Sequence, residues 1–106
     1  MRLTFEKYCC YCGKLLNQKD LDYTKEHLVP KSRGGNNSEI NKKPCCKKCN
    51  NWRGNQTFEQ FKTNVQRHLH NKILDRGYTL YDYQIMIENI QYWNDFVASN
   101  KKNFIK

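Results

Sequence analysis

The second half of the chain has apolar residues at steps of three and four, the spacing that places them on one face of a helix. The first run consists of Phe58, Phe61, Val65, Leu69 and Ile73. Thr57 is suited to cap the start of this helix because Gln60 follows three residues later, as in a capping box. Gly77, directly after Arg76, is expected to end it.

A second apolar run predicts another helix, which we expect to begin near Asp82 as its cap. Its stripe consists of Ile85, Met86, Ile90, Trp93 and Val97. We interpret the stripes of both helices as core positions rather than as a ligand site. His68 and His70 fall in the first helix at a spacing that directs them to different sides, so we expect both at the surface and no metal pair.

The first half is predicted to contain short elements joined by turns. Residues 23–29 have the character of a strand that stops at Pro30, and a loop rich in glycine and asparagine follows over 32–38. A second extended piece is expected at about 41–45. A short helix should then run from Cys46 to about Asn55.

These elements predict an α+β fold in a single compact domain, for which 106 residues are enough. We expect residues 1–56 to form its core and the helical residues 57–106 to pack on that core as an extension. The mean hydropathy is −1.00. No apolar run approaches the roughly 18 residues needed to span a bilayer, which excludes a membrane-spanning protein.

The chain contains six cysteines, all of them before residue 50. Residues 1–6 lack the apolar core of a secretory signal, so we expect a cytoplasmic location and metal binding in place of disulfides. Cys9 with Cys12 and Cys46 with Cys49 form two Cys-x-x-Cys pairs. Four thiolates in a tetrahedral array make a closed structural Zn²⁺ site. A redox dithiol would account for one pair but not for two.

Cys10 and Cys45 are left over, and each directly precedes a proposed ligand. A register shifted by one residue is therefore an alternative. Cys10 to Cys12 and Cys45 to Cys49 are poorer spacings, so we prefer the first assignment. A metal is also expected on grounds of size, because domains with small cores often contain such a staple.

The net charge is +9, from 19 lysines and arginines and 10 acidic residues. Residues 1–56 contain 12 of these cations against 5 acidic residues, whereas residues 57–106 contain 7 against 5. A basic first half is attractive to the phosphate backbone of a nucleic acid. A solvated lysine-rich surface is the alternative.

Between the two cysteine pairs lies an ordered series of residues with recognisable chemistry. It consists of Glu26-His27-Leu28-Val29-Pro30, a basic loop with Gly34-Gly35, then Asn41, and Asn50 directly after Cys49. The series resembles the HNH endonuclease family, in the branch in which two Cys-x-x-Cys pairs enclose the ββα-metal motif. The resemblance covers about residues 9–55 and implies a small zinc-stapled ββα-metal motif followed by two C-terminal helices.

The resemblance implies a metal-dependent DNA endonuclease or nicking enzyme that hydrolyses phosphodiester bonds. His27 would be the general base, because imidazole titrates near physiological pH. Glu26 and Asn50 would supply oxygen ligands to one catalytic Mg²⁺ or Mn²⁺. Asn41 would hold the loop and orient His27. The motif has too few carboxylates for a two-metal site.

Lys31, Arg33 and Arg53 are candidate phosphate contacts, with an ordinary surface cation as the alternative for each. DNA is the expected partner and RNA the alternative; no membrane partner is expected, and a homodimer or larger complex is left open. The stretch 77–100 contains acidic residues but no lysine or arginine, so its helix should face away from nucleic acid.

Three features depart from the family pattern. Asn50 stands where histidine is common, giving an HNN form, and Glu26 replaces the commoner aspartate. Lys42 and Cys45 occupy second-strand positions that are usually aliphatic. Pro44 is no departure, but it lacks an N–H for the ladder, so that strand should be short or at an edge.

Two other functions are consistent with parts of the sequence. A zinc-stabilised nucleic-acid-binding module that is catalytically weak or inactive would account equally well for the charge and the cysteines. A protein-interaction domain would use the acidic helix. The intact His27 and its neighbouring candidate ligands favour the nuclease.

Overall fold

The computed structural model describes residues 7–16 and 23–105. The N-terminal residues 1–6, and Asp20 and Asp22, which match no position of the motif, lie outside the described residues. The elements are β1 (Lys7–Tyr8), β2 (Leu15–Leu16), β3 (Tyr23–His27), β4 (Lys42–Cys46), α1 (Lys47–Arg53), α2 (Phe58–His70) and α3 (Leu80–Ser99). Single-turn 3₁₀ helices cover Lys31–Arg33, Glu39–Asn41 and Lys101–Asn103.

Two antiparallel two-stranded sheets make up the β-structure of the described residues. Strand β1 pairs with β2, and β3 pairs with β4 in a register that places Glu26 opposite Lys43 and His27 opposite Lys42. Pro44 lies in β4 opposite Lys25. Because both strands of this sheet are edges, proline is tolerated there, as predicted. Together β3, β4 and α1 form the ββα unit that the sequence predicts.

Helix α2 begins as predicted, with a reciprocal capping box between Thr57 and Gln60. It ends at His70, earlier than the predicted Arg76. Lys72 adopts a left-handed φ of 53°, and the N–H of Ile73 donates to the carbonyl of His68 over 2.9 Å. This is a Schellman termination, which usually has glycine at the left-handed position. The lysine there hid the helix end from the sequence pattern.

Helix α3 is capped by Thr79 and not by Asp82, so that prediction is wrong by three residues. Thr79 Oγ1 accepts from the backbone N–H of Asp82, and the Asp82 carboxylate accepts from the N–H of Thr79. Asp82 is thus the second partner of a capping box in which aspartate replaces the usual glutamate or glutamine. None of the helices within the described residues combines the length and apolar character needed to cross a bilayer.

The core is an aromatic cluster between the β1–β2 hairpin, α1 and the two long helices. Tyr11 and Trp52 meet Phe61 edge-on, with ring centroids 5.2 and 5.6 Å apart. His68 belongs to this cluster, 4.8 Å from the Trp52 ring, and the prediction that it lies at the surface is wrong. Its Nδ1 lies 2.9 Å from the carbonyl of Asn64. His70 is exposed, as predicted.

Candidate metal centre and active site

Two segments distant in sequence bring four thiols together. Cys9 and Cys12 lie in the turn of the β1–β2 hairpin, whereas Cys46 ends β4 and Cys49 lies in α1. All four Sγ atoms lie within 4.8 Å of one another. Tetrahedral zinc with Zn–S bonds of about 2.3 Å requires S···S edges of about 3.8 Å. Cys12 Sγ and Cys46 Sγ are 3.9 Å apart, so the four thiols fit a structural Zn²⁺.

The local backbone explains how each pair reaches one point. Gly13 has a φ of 77° and its N–H donates to the carbonyl of Cys9 over 3.0 Å, which closes the hairpin turn. The N–H of Tyr11 donates to Cys9 Sγ, and the N–H of Cys49 donates to Cys46 Sγ. Such N–H···S bonds orient thiolates as ligands before metal binds.

Cys10 and Cys45 are not part of the four-thiol group, which agrees with the preferred register. Cys45 is fully buried in β4 and its Sγ donates to the carbonyl of Cys46 over 3.3 Å. It lies 4.0 Å from Cys9 Sγ. All six cysteines are among the described residues and none forms a disulfide. Cys45 therefore packs against the metal cluster as a small buried side chain.

Hydrogen bonds among the closely packed thiols shift their pKa values in opposite directions. Hydrogen bonds from Cys12 and Cys49 lower the pKa of Cys46 to about 7. Hydrogen bonding with Cys46 raises the pKa of Cys12. A Zn²⁺ ion held by these four sulfurs would require all of them as thiolates, so its binding would release protons.

Three residues of the HNH series, Glu26, His27 and Asn50, line an open cavity of about 500 Å³ between the end of β3, the loop after it and α1. In a regular strand Glu26 and His27 would point to opposite faces. Glu26 and His27 are nevertheless the last two residues of β3, and both line the same cavity.

Glu26 is only 5% exposed and is held from inside the protein. The Tyr11 hydroxyl donates to its Oε2 over 2.7 Å, and Arg53 Nη1 lies 3.2 Å from the same oxygen. Burial raises the pKa of Glu26, while the Arg53 guanidinium and the Tyr11 hydroxyl oppose that rise. No hydrogen bond to Oε1 is found within residues 7–16 and 23–105.

Arg53 lies in the interior, 2% exposed, and not at the surface where a phosphate contact was expected. Its Nε donates to the carbonyl of Gln56 over 3.0 Å, and its Nη1 also reaches the carbonyl of His27 at 3.2 Å. The guanidinium stacks on the Phe58 ring at 4.2 Å. An Arg–Glu pair at this depth was invisible in the sequence, because nothing there marks this cation as buried.

Asn50 and His27 keep their polar groups near the cavity. Asn50 Nδ2 donates to Thr24 Oγ1 over 2.9 Å, which leaves Oδ1 as the amide atom open to a ligand. His27 Nε2 lies 3.4 Å from Asn37 Oδ1 in the loop. A carboxylate oxygen and an amide oxygen form a hard donor set, which fits Mg²⁺ or Mn²⁺.

Asn41 is fully buried, and its side chain connects both ends of the loop after β3. Its Oδ1 accepts from the N–H of Val29 over 2.8 Å, and its Nδ2 donates to the carbonyls of Val29 and Asn36. Gly35 packs so closely that an added Cβ would lie 1.8 Å from the carbonyl oxygen of Val29. The loop therefore requires glycine at this position.

Residues near the C-terminal end of the described chain complete this loop. The N–H of Asn36 donates to the carbonyl of Phe104 over 2.9 Å, and Asn36 Nδ2 donates to the carbonyl of Asn103. Gly35 forms an isolated antiparallel bridge with Ile105. No pattern in the sequence predicts these partners.

Lys31 and Arg33 are exposed on the loop beside the cavity. Lys31 lines the cavity, and Arg33 Nε donates to the carbonyl of Asn55 over 2.7 Å. Sequence reasoning missed Tyr11, Thr24 and Asn37 as neighbours of the HNH residues. Only Tyr11 carried a signal, since it lies inside the first Cys-x-x-Cys pair.

The described residues thus contain a two-stranded antiparallel sheet, a short helix and a four-thiol metal site, the arrangement of a zinc-stapled ββα-metal protein. A sequence profile of the HNH endonuclease family matches residues 9–71, more than half of the chain, and the chain belongs to this family. Membership implies a nuclease with a nucleic acid as substrate. Comparisons with curated proteins and with solved structures find no significant match.

Proposed function

We propose that this protein is a metal-dependent DNA endonuclease or nicking enzyme with a histidine general base and one divalent metal. The observation that carries the proposal is that Glu26, His27 and Asn50 line one open cavity. These are the positions at which the family motif supplies its base and ligands. The cavity opens on the part of the chain that contains most of the excess positive charge.

His27 would take the proton of the attacking water as the new P–O bond forms and the P–O bond to the leaving oxygen breaks. Its backbone carbonyl is anchored by Arg53, and its ring lies beside Asn37. The imidazole therefore has a defined place at the cavity wall, while its edge remains accessible to solvent. A base at this position requires no rearrangement of β3.

Glu26 and Asn50 would hold the catalytic metal through Oε1 and Oδ1. When bound, Mg²⁺ or Mn²⁺ supplies a Lewis acid that stabilises charge on the leaving oxygen. Two protein ligands leave several coordination positions for water and phosphate. Lys31 and Arg33 would contact flanking phosphates. The buried Arg53 would instead hold the Glu26 carboxylate and the His27 carbonyl in place.

A plasmid-cleavage assay over a series of divalent metals tests the proposal. We expect zinc-loaded wild-type protein to convert supercoiled DNA to nicked or linear forms with Mg²⁺ or Mn²⁺. His27→Ala should reduce the rate by at least about 100-fold, because general-base catalysis contributes that much. His70→Ala, at an exposed position of α2, is the matched control and should cleave normally.

Zinc content and the melting temperature of both variants should match the wild type, which excludes loss of fold as the cause. Equal cleavage by His27→Ala would overturn the assigned base. Parallel reactions on RNA decide between the two nucleic acids. A cytoplasmic location, where thiols stay reduced, remains a prediction.

The second candidate is a nucleic-acid-binding module with weak or no catalysis. The burial of Glu26 favours it, because Arg53 and Tyr11 already occupy one carboxylate oxygen. Salt-sensitive DNA binding without cleavage under any divalent metal would support this function against the first.

A further inference from the structure

We propose that Tyr11 is a positioning residue that orients Glu26 for the catalytic metal. Through it, the β1–β2 turn, which contains Cys9 and Cys12, is connected to the active site. The inference rests on the proposed function, because it assigns Glu26 as a ligand. It concerns a residue outside the HNH series, contributed by the turn that holds two zinc-ligating thiols.

Tyr11 is held on several sides, so its hydroxyl has little freedom. It lies between Cys10 and Cys12 and is fully buried. Its ring packs edge-on against Phe61, 5.2 Å between centroids, and its carbonyl accepts from Asn89 Nδ2 over 2.7 Å. The Tyr11 side chain therefore extends from the β1–β2 turn toward β3 in one fixed conformation.

The hydroxyl of Tyr11 selects one oxygen of Glu26. It donates to Oε2 over 2.7 Å, the shorter of the two contacts that Oε2 receives from Tyr11 and Arg53. With Oε2 held inside the protein, the carboxylate can offer Oε1 to the cavity that Glu26 lines. A ligand whose second oxygen is already bonded binds a metal through one oxygen in a fixed direction.

Arg53 is the third member of the hydrogen-bond network formed with Tyr11 and Glu26. Its Nη1 lies 3.1 Å from the Tyr11 oxygen, 3.2 Å from Glu26 Oε2 and 3.2 Å from the His27 carbonyl. One guanidinium nitrogen thus contacts both consecutive HNH residues. Arg53 is also charged and repels a nearby cation, so replacing it would change orientation and charge together. Tyr11→Phe removes a neutral hydroxyl and no formal charge, which makes it the sharper test.

The test measures Mn²⁺ binding directly, by electron paramagnetic resonance on zinc-loaded protein, beside the dependence of cleavage on Mn²⁺. We expect Tyr11→Phe to raise the Mn²⁺ dissociation constant by about 10-fold or more, the usual effect of removing a hydrogen-bond partner of a metal ligand. The half-maximal Mn²⁺ concentration for cleavage should rise similarly, while the rate at saturating metal stays near wild type. Zinc stoichiometry should not change, because the ring and the thiols remain.

Tyr83→Phe is the matched control. Its side chain is also fully buried, but its hydroxyl donates to the carbonyl of Ile73 and not to Glu26. It should leave Mn²⁺ binding unchanged. Glu26→Ala should abolish the Mn²⁺ binding that electron paramagnetic resonance detects, which assigns that binding to this site.

Three outcomes overturn a stated claim. If wild-type protein binds Mn²⁺ and cleaves DNA, but Tyr11→Phe has wild-type Mn²⁺ affinity, the positioning role is wrong and the proposed function stands. If Tyr83→Phe weakens Mn²⁺ binding as much as Tyr11→Phe, the effect is that of removing any buried hydroxyl and the positioning role is again wrong. If the wild type binds no Mn²⁺ at this site, the proposed metal site fails and the inference with it.

Discussion

At the scale of single residues, Lys72 occupies a conformation that costs free energy. It sits in the left-handed region at the end of α2, where side chains crowd the backbone. Lys72→Gly should raise the free energy of unfolding by about 0.5–1 kcal/mol, because glycine adopts this conformation without strain. Gln66→Gly, at an exposed position inside α2, should lower it by about 1 kcal/mol. Chemical denaturation measures both, and equal signs would contradict the assigned helix end.

The residues that sequence reasoning placed best are those whose function follows from their neighbours along the chain. The four thiols, Gly35 and the capping pair Thr57–Gln60 are of this kind. Arg53 and His68 were misplaced, because burial depends on what packs over a side chain from distant segments. The predicted roles of Glu26, His27, Asn50 and Lys31 stay predictions, supported by a shared cavity. The predicted roles of Asn41 and Arg33 stay predictions that rest on their positions in the sequence.

At the scale of elements, the start of α3 depends on the ionisation of Asp82. Burial would raise the pKa of Asp82, but the Thr79 N–H and the Lys14 ammonium lower it below its usual value. An acid with a lowered folded-state pKa stabilises the fold above its unfolded pKa, about 3.9, and loses that contribution as the pH falls through the folded value. Asp82→Asn should therefore be destabilised at pH 7, and the difference from wild type should vanish in strong acid.

Glu88→Gln, at an exposed position in the middle of α3, is the control for Asp82→Asn and should follow the wild type closely at each pH. Thermal unfolding measured from pH 7 down to about 2.5, below the unfolded pKa of an aspartate, supplies the comparison. A destabilisation that stays constant over that range would show that the charge of Asp82 has no part in the cap.

The helices were predictable because their stripes and caps are local patterns, and their errors have local causes. Helix α2 ends early at a left-handed lysine, and α3 starts early at a threonine whose partner is aspartate. A lysine at the left-handed position and an aspartate in the capping box both depart from the commonest sequence form of these motifs. The ββα unit was recognisable through the spacing of its motif, although its strands are only five residues long.

At the scale of the whole molecule, zinc should determine whether the chain folds. Structural zinc contributes an apparent binding free energy of about 10–16 kcal/mol in small domains. This is comparable with the total stability of a domain, about 5–15 kcal/mol. Chelation at neutral pH should therefore abolish the cooperative thermal transition, followed by circular dichroism.

Cys49→Ser should have the same effect as the chelator, whereas Cys10→Ala should retain one zinc per chain, because Cys10 is outside the thiol cluster. A zinc-free protein that melts like the loaded form would contradict this dependence. We also propose that residues 1–56 and 57–106 form one folding unit. The carbonyls of Cys10 and Tyr11 accept hydrogen bonds from Trp93 and Asn89 of α3, which supports that proposal.

The contacts of the loop after β3 have a consequence for the timing of synthesis. Asn36 obtains its partners from Asn103 and Phe104, nearly seventy residues later in the chain. While a ribosome is still making those residues, the loop that borders His27 lacks them. The turn that holds Cys9 and Cys12 also takes partners from a later segment, α3, but these emerge before residues 103–105, on which the loop depends. A nascent chain would thus complete the turn of its metal site before its active-site loop.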